Sequence, residues 1–433
     1  MHTFLVAGAG HGGLCAALHL ARAGQRVTVI EREREVDLGY DWTDSVEPDA
    51  LERNGFSPLP QDGWTRAYHM TMIAPGKRHP LRPAEPKRVP TEIHAERKAW
   101  LAVMIGDCRA AGVAFEFGTE ILGPAMEGDR VCGLRLRVDG QERIRPADMV
   151  IDAAGAQSAV REGLPARLGI PGALQKEHLF YAWRGFYERL PGPDPKDMYS
   201  MYLSHQGRKG ISWVITNPGY IDVLVGNMGG PLSETELAHA ITDLRADCPL
   251  LGERLLRGGG TQPAIPVRRP LGLFVAGGYA AVGDSACMAD PFSGCGICSA
   301  MDQGKLLAQL LLKNGGDFSL PALWEYQLRA FARLKAHRRG ATEVLRCVMM
   351  GMGPKELDLL FERGIIAMRG GVKDARDVRK MLRNVDHPKV LWKLLKIPMR
   401  GKAIKEIVHR IPKAYDPAAV AAWVKEYEAC KMC

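Results

Sequence analysis

Residues Gly8-Ala9-Gly10-His11-Gly12-Gly13 follow directly on the apolar run Phe4-Leu5-Val6-Ala7, and the reading of that junction decides the fold. An apolar run without alternation reads as a strand buried on both faces of a parallel sheet. Leu14 to Ala23 has helical spacing and stops at Gly24, a C-cap signal. Arg26 to Ile30 reads as a second strand and closes with Glu31. This strand, turn, helix and strand make a dinucleotide-binding unit. Gly8 permits the tight turn, Gly10 lets the backbone approach a diphosphate, and Gly13 lets the helix pack close on the strand. The helix N-terminus offers free N–H groups to phosphates. Glu31 is placed to accept hydrogen bonds from adenosine ribose hydroxyls. The plain alternative is a glycine-rich turn that holds nothing.

A second signature lies some 270 residues on: Gly283-Asp284, then Pro291, then Gly294-Cys295-Gly296-Ile297 at the start of a helical stretch. One G-x-G-x-x-G is weak evidence, and a Gly-Asp pair alone is an ordinary turn. Together they point to one FAD molecule, with its pyrophosphate at the first motif and its ribityl and ring end at the second.

Composition bounds the rest. The chain has 433 residues, 25% charged and 46% hydrophobic, enough for two or three packed units of an ordinary globular protein. No apolar run reaches the length of a membrane span. Met1-His2-Thr3 leads straight into the first strand, so a secretory leader is not expected. Ten scattered cysteines lack a disulfide-framework spacing and fit free thiols in a reducing cytoplasm. Twelve scattered histidines give no metal spacing, so no metal is expected.

The net charge of +9 concentrates between Lys373 and Lys413. There Lys389-Val-Leu-Trp392-Lys-Leu-Leu-Lys396 mixes basic and apolar residues at helical spacing, as in helices that lie on anionic membranes. The alternative is a helix packed on the body with a solvated basic face. No nucleic-acid module accompanies the charge, and no nucleic-acid partner is expected.

Further strands are expected at Tyr68–Ala74, Ala114–Phe117, Val131–Val138 and Met149–Ala153, and at 179–187, 198–204, 211–216 and 221–226. Helices are expected at Arg97–Ala111, 233–246 and Ser293–Leu312. From about 320 onward the chain reads as helical, with breaks at Gly351, Pro354, Gly370-Gly371, Pro388, Pro398, Pro412 and Pro417. Gly39 to Asp44 reads as a polar loop. The expected fold is α/β: a Rossmann-like FAD-binding domain of the glutathione-reductase type, an inserted, mostly antiparallel β substrate domain, and a helical C-terminal region. The FAD-binding domain would be discontinuous, over 1–62, 95–170 and 265–330. The substrate domain would take 63–94 and 171–264, and the helical region 331–433.

The order of these motifs resembles the flavoprotein superfamily of p-hydroxybenzoate hydroxylase and geranylgeranyl reductase, over roughly residues 3–312. The resemblance implies an FAD-dependent oxidoreductase. It implies that Arg97 reaches the diphosphate and ribityl region, that Asp284 accepts from a ribityl hydroxyl, and that Pro291, Gly294, Gly296 and Ile297 approach the pyrimidine edge of the flavin, Gly294 and Gly296 with backbone N–H groups. The segment Gly210-Ile211-Ser212-Trp213-Val214-Ile215-Thr216 resembles the substrate-cavity strand of geranylgeranyl reductases at Trp213 and departs from it at Ile211, Ile215 and Thr216. Trp213 on an ordinary sheet face is the competing reading. Ala154 stands where aromatic hydroxylases carry the Asp of an Asp-Gly motif used for NADPH, whereas Gly155, Ser158, Val160 and Arg161 fit. Tyr40-Asp41-Trp42 occupies the loop where geranylgeranyl reductases often have a cysteine.

The reaction favoured on this basis is reduction of a carbon–carbon double bond in a hydrophobic, isoprenoid-type substrate. A monooxygenase acting on an apolar or aromatic compound is the alternative. A third reading is electron transfer or thiol relay to a redox partner protein, through Cys295-Gly-Ile-Cys298, whose thiols a helix N-terminus could acidify, and Cys430-Lys-Met-Cys433. Tyr40, Tyr181 and Trp213 are expected in the substrate cavity. Tyr40, Asp41, Asp44, Tyr181 and Asp290 are candidate proton donors without a secure assignment, Asp41 and Asp44 being most simply caps. The electron donor, NAD(P)H or a redox protein, is open. A cytoplasmic location is expected, with peripheral contact to anionic membrane as the variant.

Overall fold

The computed structural model describes residues 1–82, 92–258, 260–365 and 387–432. Its first layer is a six-stranded sheet in the order Val275–Ala276, Tyr279–Ala281, Met149–Asp152, Thr3–Ala7, Arg26–Ile30, Ala114–Glu116. All neighbours in it are parallel except the terminal Val275–Ala276/Tyr279–Ala281 hairpin. Phe4 to Ala7 and Val150 to Asp152 are buried throughout, as a sheet covered on both faces requires.

The helices His11–Arg22 and Ile297–Lys313 cover one face and cross through glycines. A Cβ at Gly304 would stand 2.0 Å from the carbonyl oxygen of Gly12, and one at Gly12 would stand 2.8 Å from the Val282 side chain. That crossing brings the two glycine signatures together.

A second sheet has seven strands, in the order Leu251–Gly258, Leu179–Arg189, Tyr220–Met228, Ile211–Thr216, Tyr199–Leu203, Met70–Ile73, with Ala264–Pro266 also paired to Leu179–Arg189. It is antiparallel except where Met70–Ile73 joins Tyr199–Leu203 in parallel. Side chains alternate across it. Trp183, Tyr187, Tyr202, Val214, Val223 and Val225 form one core with Ala240, Ile241 and Leu244 of the helix Glu234–Asp247. Phe180, Ala182, Arg184, Tyr199, Met201, Trp213 and Leu224 face a cavity between the two sheets. Two small sheets complete the β structure: the meander Glu120–Glu127, Arg130–Val138, Gln141–Pro146, and a group formed by Thr43–Val46, Ile93–Glu96 and Trp64–Arg66. The stretch read as a polar loop therefore ends in a strand at Thr43, because Thr43–Val46 pairs with Ile93–Glu96.

The C-terminal region is helical at Leu320–Arg333, Ala336–Met350, Pro354–Glu362, Pro388–His409 and Pro417–Ala429. Pro354, Pro388 and Pro417 each stand in a first helical turn, where the missing N–H has no partner to lose. Pro398 departs from expectation. It lies inside the Pro388–His409 helix and does not end it; packing of both flanks offsets the one lost hydrogen bond. The expected break at Gly370-Gly371 lies outside the described residues. The last helix is tied to the sheet domain by Tyr427, whose hydroxyl donates to Pro270 O at 2.9 Å, and by the pair Arg268–Glu428 (2.6 Å), while Arg269–Glu343 (2.8 Å) ties down the helix Ala336–Met350.

Candidate cofactor and substrate cavity

The cavity between the sheets has a volume of about 1250 Å³. Pockets for one drug-sized ligand run to about 300–1,000 Å³, so this one has room for an extended ligand and a second molecule.

Its floor is backbone. Gly8, Gly10 and Gly12 line it beside Glu31, and Ala153 to Gln157 face them from the neighbouring strand end. A Cβ at Gly10 would come within 2.7 Å of Ala153 O, and one at Gly13 within 2.7 Å of the Val6 side chain. Gly13 thus lies behind the wall, where it sets the helix against the strand. Glu31 bridges the strand end and the turn: its two oxygens accept from Ala9 N (2.8 Å) and Glu33 N (2.9 Å), and a carboxylate keeps further lone pairs. The helix His11–Arg22 starts at Gly10 with no side-chain cap, so its first-turn N–H groups are open to a ligand.

The second signature stands at the other end of the same cavity. Asp284, Gly294, Gly296 and Ile297 line it; Pro291 is buried in the turn behind. Asp290 also lines the cavity, and it closes that turn by accepting from Phe292 N and Ser293 N, both at 3.0 Å. Gly296 starts the helix Ile297–Lys313, again without a side-chain cap. Burial pushes the Asp284 carboxyl up to about 6, with the Arg97 and Arg339 charges opposing. The second signature is clamped to the Ala153–Ser158 loop by fully buried Asp152, which accepts from Ser158 Oγ (2.6 Å), Ser285 Oγ (2.9 Å) and Tyr279 OH (2.9 Å).

Two ion pairs hold the far wall, one part-buried and one buried. Arg97 grips Asp44 with Nε and Nη2 at 2.6 and 2.5 Å, and its guanidinium lies 4.9 Å from the Trp42 ring centre and 5.7 Å from that of Tyr40. Asp44 is therefore neither a cap nor an acid. Burial would raise its carboxyl, but Arg97 outweighs burial and holds it below the usual carboxylate range. Asp41 pairs instead with Lys98 at 2.8 Å. Arg184 donates from Nε to Asp222 at 2.8 Å and from Nη2 to Thr43 Oγ1 at 2.6 Å, beneath Trp213 at 5.2 Å.

Tyr40 and Trp213 line the cavity as expected; Tyr181 does not. On the strand Leu179–Arg189 the residues turned inward are Phe180, Ala182 and Arg184, so period-two alternation sends Tyr181 to the opposite face. Sequence reasoning missed Arg184, Tyr199, His94 and His11. Tyr199 stands edge-on between His94 (6.3 Å) and Trp213 (5.8 Å). Burial pushes its hydroxyl well above the ordinary tyrosine value, so it stays protonated. Burial, helped by Arg97, takes the His11 imidazole down to about 4, so it is neutral at pH 7. Alternating aromatic and polar residues on the strands were the available signal, but the sequence does not say which parity faces inward.

The thiols do not match a relay. Cys295, exposed at the surface, and half-buried Cys298 are free thiols, and burial raises Cys298 to about 11. Cys430 is free, Cys347 is disulfide-bonded, contrary to the all-thiol expectation, and Cys433 lies outside the described residues. Among the described residues no cluster of His, Cys, Asp or Glu could hold a metal ion, and no helix is long and apolar enough to cross a membrane.

The residues present fit a dinucleotide with a polar ring system. His11 Nε2, Trp42 Nε1 and Trp213 Nε1 are buried and without partners, and all three residues line the cavity. Such groups are costly unless a ligand satisfies them.

Comparison with known proteins agrees. Residues 4–213 match the model of the FAD dependent oxidoreductase family. The digeranylgeranylglycerophospholipid reductase of Sulfolobus acidocaldarius is 24% identical over 72% of this chain and 71% of its own length. That of Methanothrix thermoacetophila is 23% identical over 91% of this chain and 99% of its own. Among solved structures, a geranylgeranyl bacteriochlorophyll reductase-like protein from Thermoplasma acidophilum superposes with a TM-score of 0.74 at 19% identity, covering 92% of this chain and 99% of that one. A flavin-dependent brominase follows with 0.61 at 15%, covering 99% and 100%. At these identities the superpositions speak for the fold alone.

Proposed function

Since the chain is an FAD-dependent oxidoreductase of the geranylgeranyl reductase-like flavoprotein group, we propose that it reduces carbon–carbon double bonds of a hydrophobic, isoprenoid-type substrate. The observation that carries this reading is the division of one cavity into a glycine-walled half and an apolar half. The latter is lined by Met70, Met72, Met201, Ile211, Trp213, Ile215 and Leu224. The kinship to reductases of geranylgeranyl lipids supports the same substrate class.

In this reading Gly8, Gly10 and Glu31 receive the adenosine diphosphate, and Asp284, Gly294, Gly296 and Ile297 receive the ribityl and ring end. Arg97 is held by Asp44 and keeps Nη1 for the cofactor. Reduced FAD supplies a hydride. The apolar wall holds the alkene and excludes water. The proton for the second carbon is assigned to Tyr199, a neutral phenol among the residues that line the same cavity. The electron donor that reloads the flavin is NAD(P)H or a redox protein.

The test is anaerobic. The bound flavin is reduced with dithionite, excess reductant is removed, and a geranylgeranyl compound is added. Reoxidation of the flavin with a product two mass units heavier is expected. Tyr199→Phe should slow that reoxidation by about 10²–10⁴-fold while leaving FAD content unchanged. No reoxidation by the alkene, with rapid formation of a flavin hydroperoxide on adding oxygen and an oxygenated product, would replace this reading with a monooxygenase.

A further inference from the structure

The basic helix Pro388–His409 is bound to the body through one side only. Val390, Leu394, Ile404, Ile407 and Val408 are buried, and at the crossing with the helix Ala336–Met350 a Cβ on Gly340 would come within 2.7 Å of Ile404. The outer side carries Trp392 and Met399, each 65% exposed. They stand seven residues apart, hence on one face, with Leu395 half-buried between them.

From His387 to Lys405 the sequence has six Lys or Arg and no Asp or Glu. Two of the six serve the fold: Lys393 donates to Gly351 O (3.0 Å) and Glu356 (2.6 Å), and Arg400 to Met432 O (2.7 Å). Lys389 and Lys396 lie together along one edge of the Trp392 stripe on the helical wheel and have no carboxylate partner among the described residues, while Lys402, on the other edge, stands 3.8 Å from Glu406 at an exposed site. A stripe of exposed Trp392 and Met399 with half-buried Leu395, edged by lysines, is a cost in water that nothing among the described residues recovers.

We propose that this face docks on the surface of an anionic phospholipid bilayer, with Trp392 and Met399 entering the headgroup region and Lys389, Lys396 and Lys402 against lipid phosphates. The charge argues for this occupant. A second copy of the chain would bring like charge to like charge. A lipid surface offers negative charge and an apolar layer a few Å below it, matching long lysine stems around a Trp. The position agrees as well. The helix Ala336–Met350, on which the basic helix packs, presents Arg346, Met349 and Met350 to the cavity, and Lys393 fixes the two helices together at Gly351. The proposal does not depend on the reaction assigned above.

The experiment uses the FAD-loaded full chain and vesicles of phosphatidylcholine alone or mixed with phosphatidylglycerol, in a flotation assay at low and at high salt. Binding to the mixed vesicles only, released by salt, is expected. Trp392→Glu and the pair Lys389→Glu/Lys396→Glu should each lower the vesicle partition at least tenfold, whereas Trp392→Phe should keep most of it. All these positions are on the surface, so flavin absorbance and elution volume should not change. Absence of binding to the mixed vesicles at low salt overturns the proposal. So does binding that Trp392→Glu leaves unchanged. Concentration-dependent self-association abolished by Trp392→Glu, without vesicle binding, would assign the face to a second copy instead.

Discussion

The floor and the roof of the cavity solve the same problem in opposite materials. The floor shapes itself with backbone: glycines, a strand–helix turn and helix ends whose N–H groups stay open. The roof shapes itself with side chains, Arg184–Asp222 and Arg97–Asp44 beside Trp42, Trp213 and Tyr199. Backbone recognition needs particular residues at fixed spacing. Side-chain recognition needs only that the right parity of a strand point inward, and many residues meet that condition. The floor is accordingly intolerant of a Cβ at Gly8, Gly10 and Gly12, and the roof tolerates change provided its charges leave in pairs.

The largest effect should come from the floor. Gly10→Asp places a Cβ within 2.7 Å of Ala153 O and a carboxylate at the opening of the first helix. The purified variant should lack bound FAD, read from the absorbance ratio at 450 and 280 nm; stoichiometric FAD would break the contrast. The roof comes next. Arg184→Met leaves Asp222, 2% exposed, without its partner, and should lower stability to urea by about 3–5 kcal/mol. The double variant Arg184→Met/Asp222→Leu should recover most of that loss. If the double variant is as unstable as the single one, the roof is as position-specific as the floor.

The smallest effect concerns Asp284 in the apoprotein. Its carboxyl is raised from the ordinary 3.8 to about 6. The folded state therefore binds the proton more tightly than the unfolded one. The stability this contributes is complete below about pH 4 and is lost as pH rises through about 6. Asp284→Asn should flatten the pH dependence of apoprotein unfolding across that window by one to a few kcal/mol. An unchanged profile would mean that Asp284 is well solvated when the flavin is absent.

The same contrast explains what could be read in advance. Phe4 to Ala7, the glycine turn and Glu31 announce themselves because buried parallel strands and phosphate turns restrict composition. The distal Gly283-Asp284 pair gains meaning only beside the first motif. The strand Gln141–Pro146 was invisible because every residue in it is exposed, so it carries no hydrophobic alternation. Trp213 was legible by resemblance, yet its neighbours Tyr199 and Arg184 were not, since their role depends on inward parity. Tyr181 was assigned to the cavity from residue type alone and faces the other way. Asp44 looked like a cap until Arg97, 53 residues on, took both its oxygens.

The glycine crossing of the first helix with the helix at Ile297–Lys313 has a consequence for synthesis. Gly12 emerges from the ribosome roughly 290 residues before Gly304, and at about 5–20 residues per second that interval is about 15–60 s. For all of it the first helix has no permanent cover on the face that Gly304 will occupy. A nascent chain stalled anywhere in between would display an apolar helix face and an unfinished parallel sheet, the kind of surface that chaperones retain. The yield of this protein in a cell should therefore respond to translation speed more strongly than its final stability would suggest.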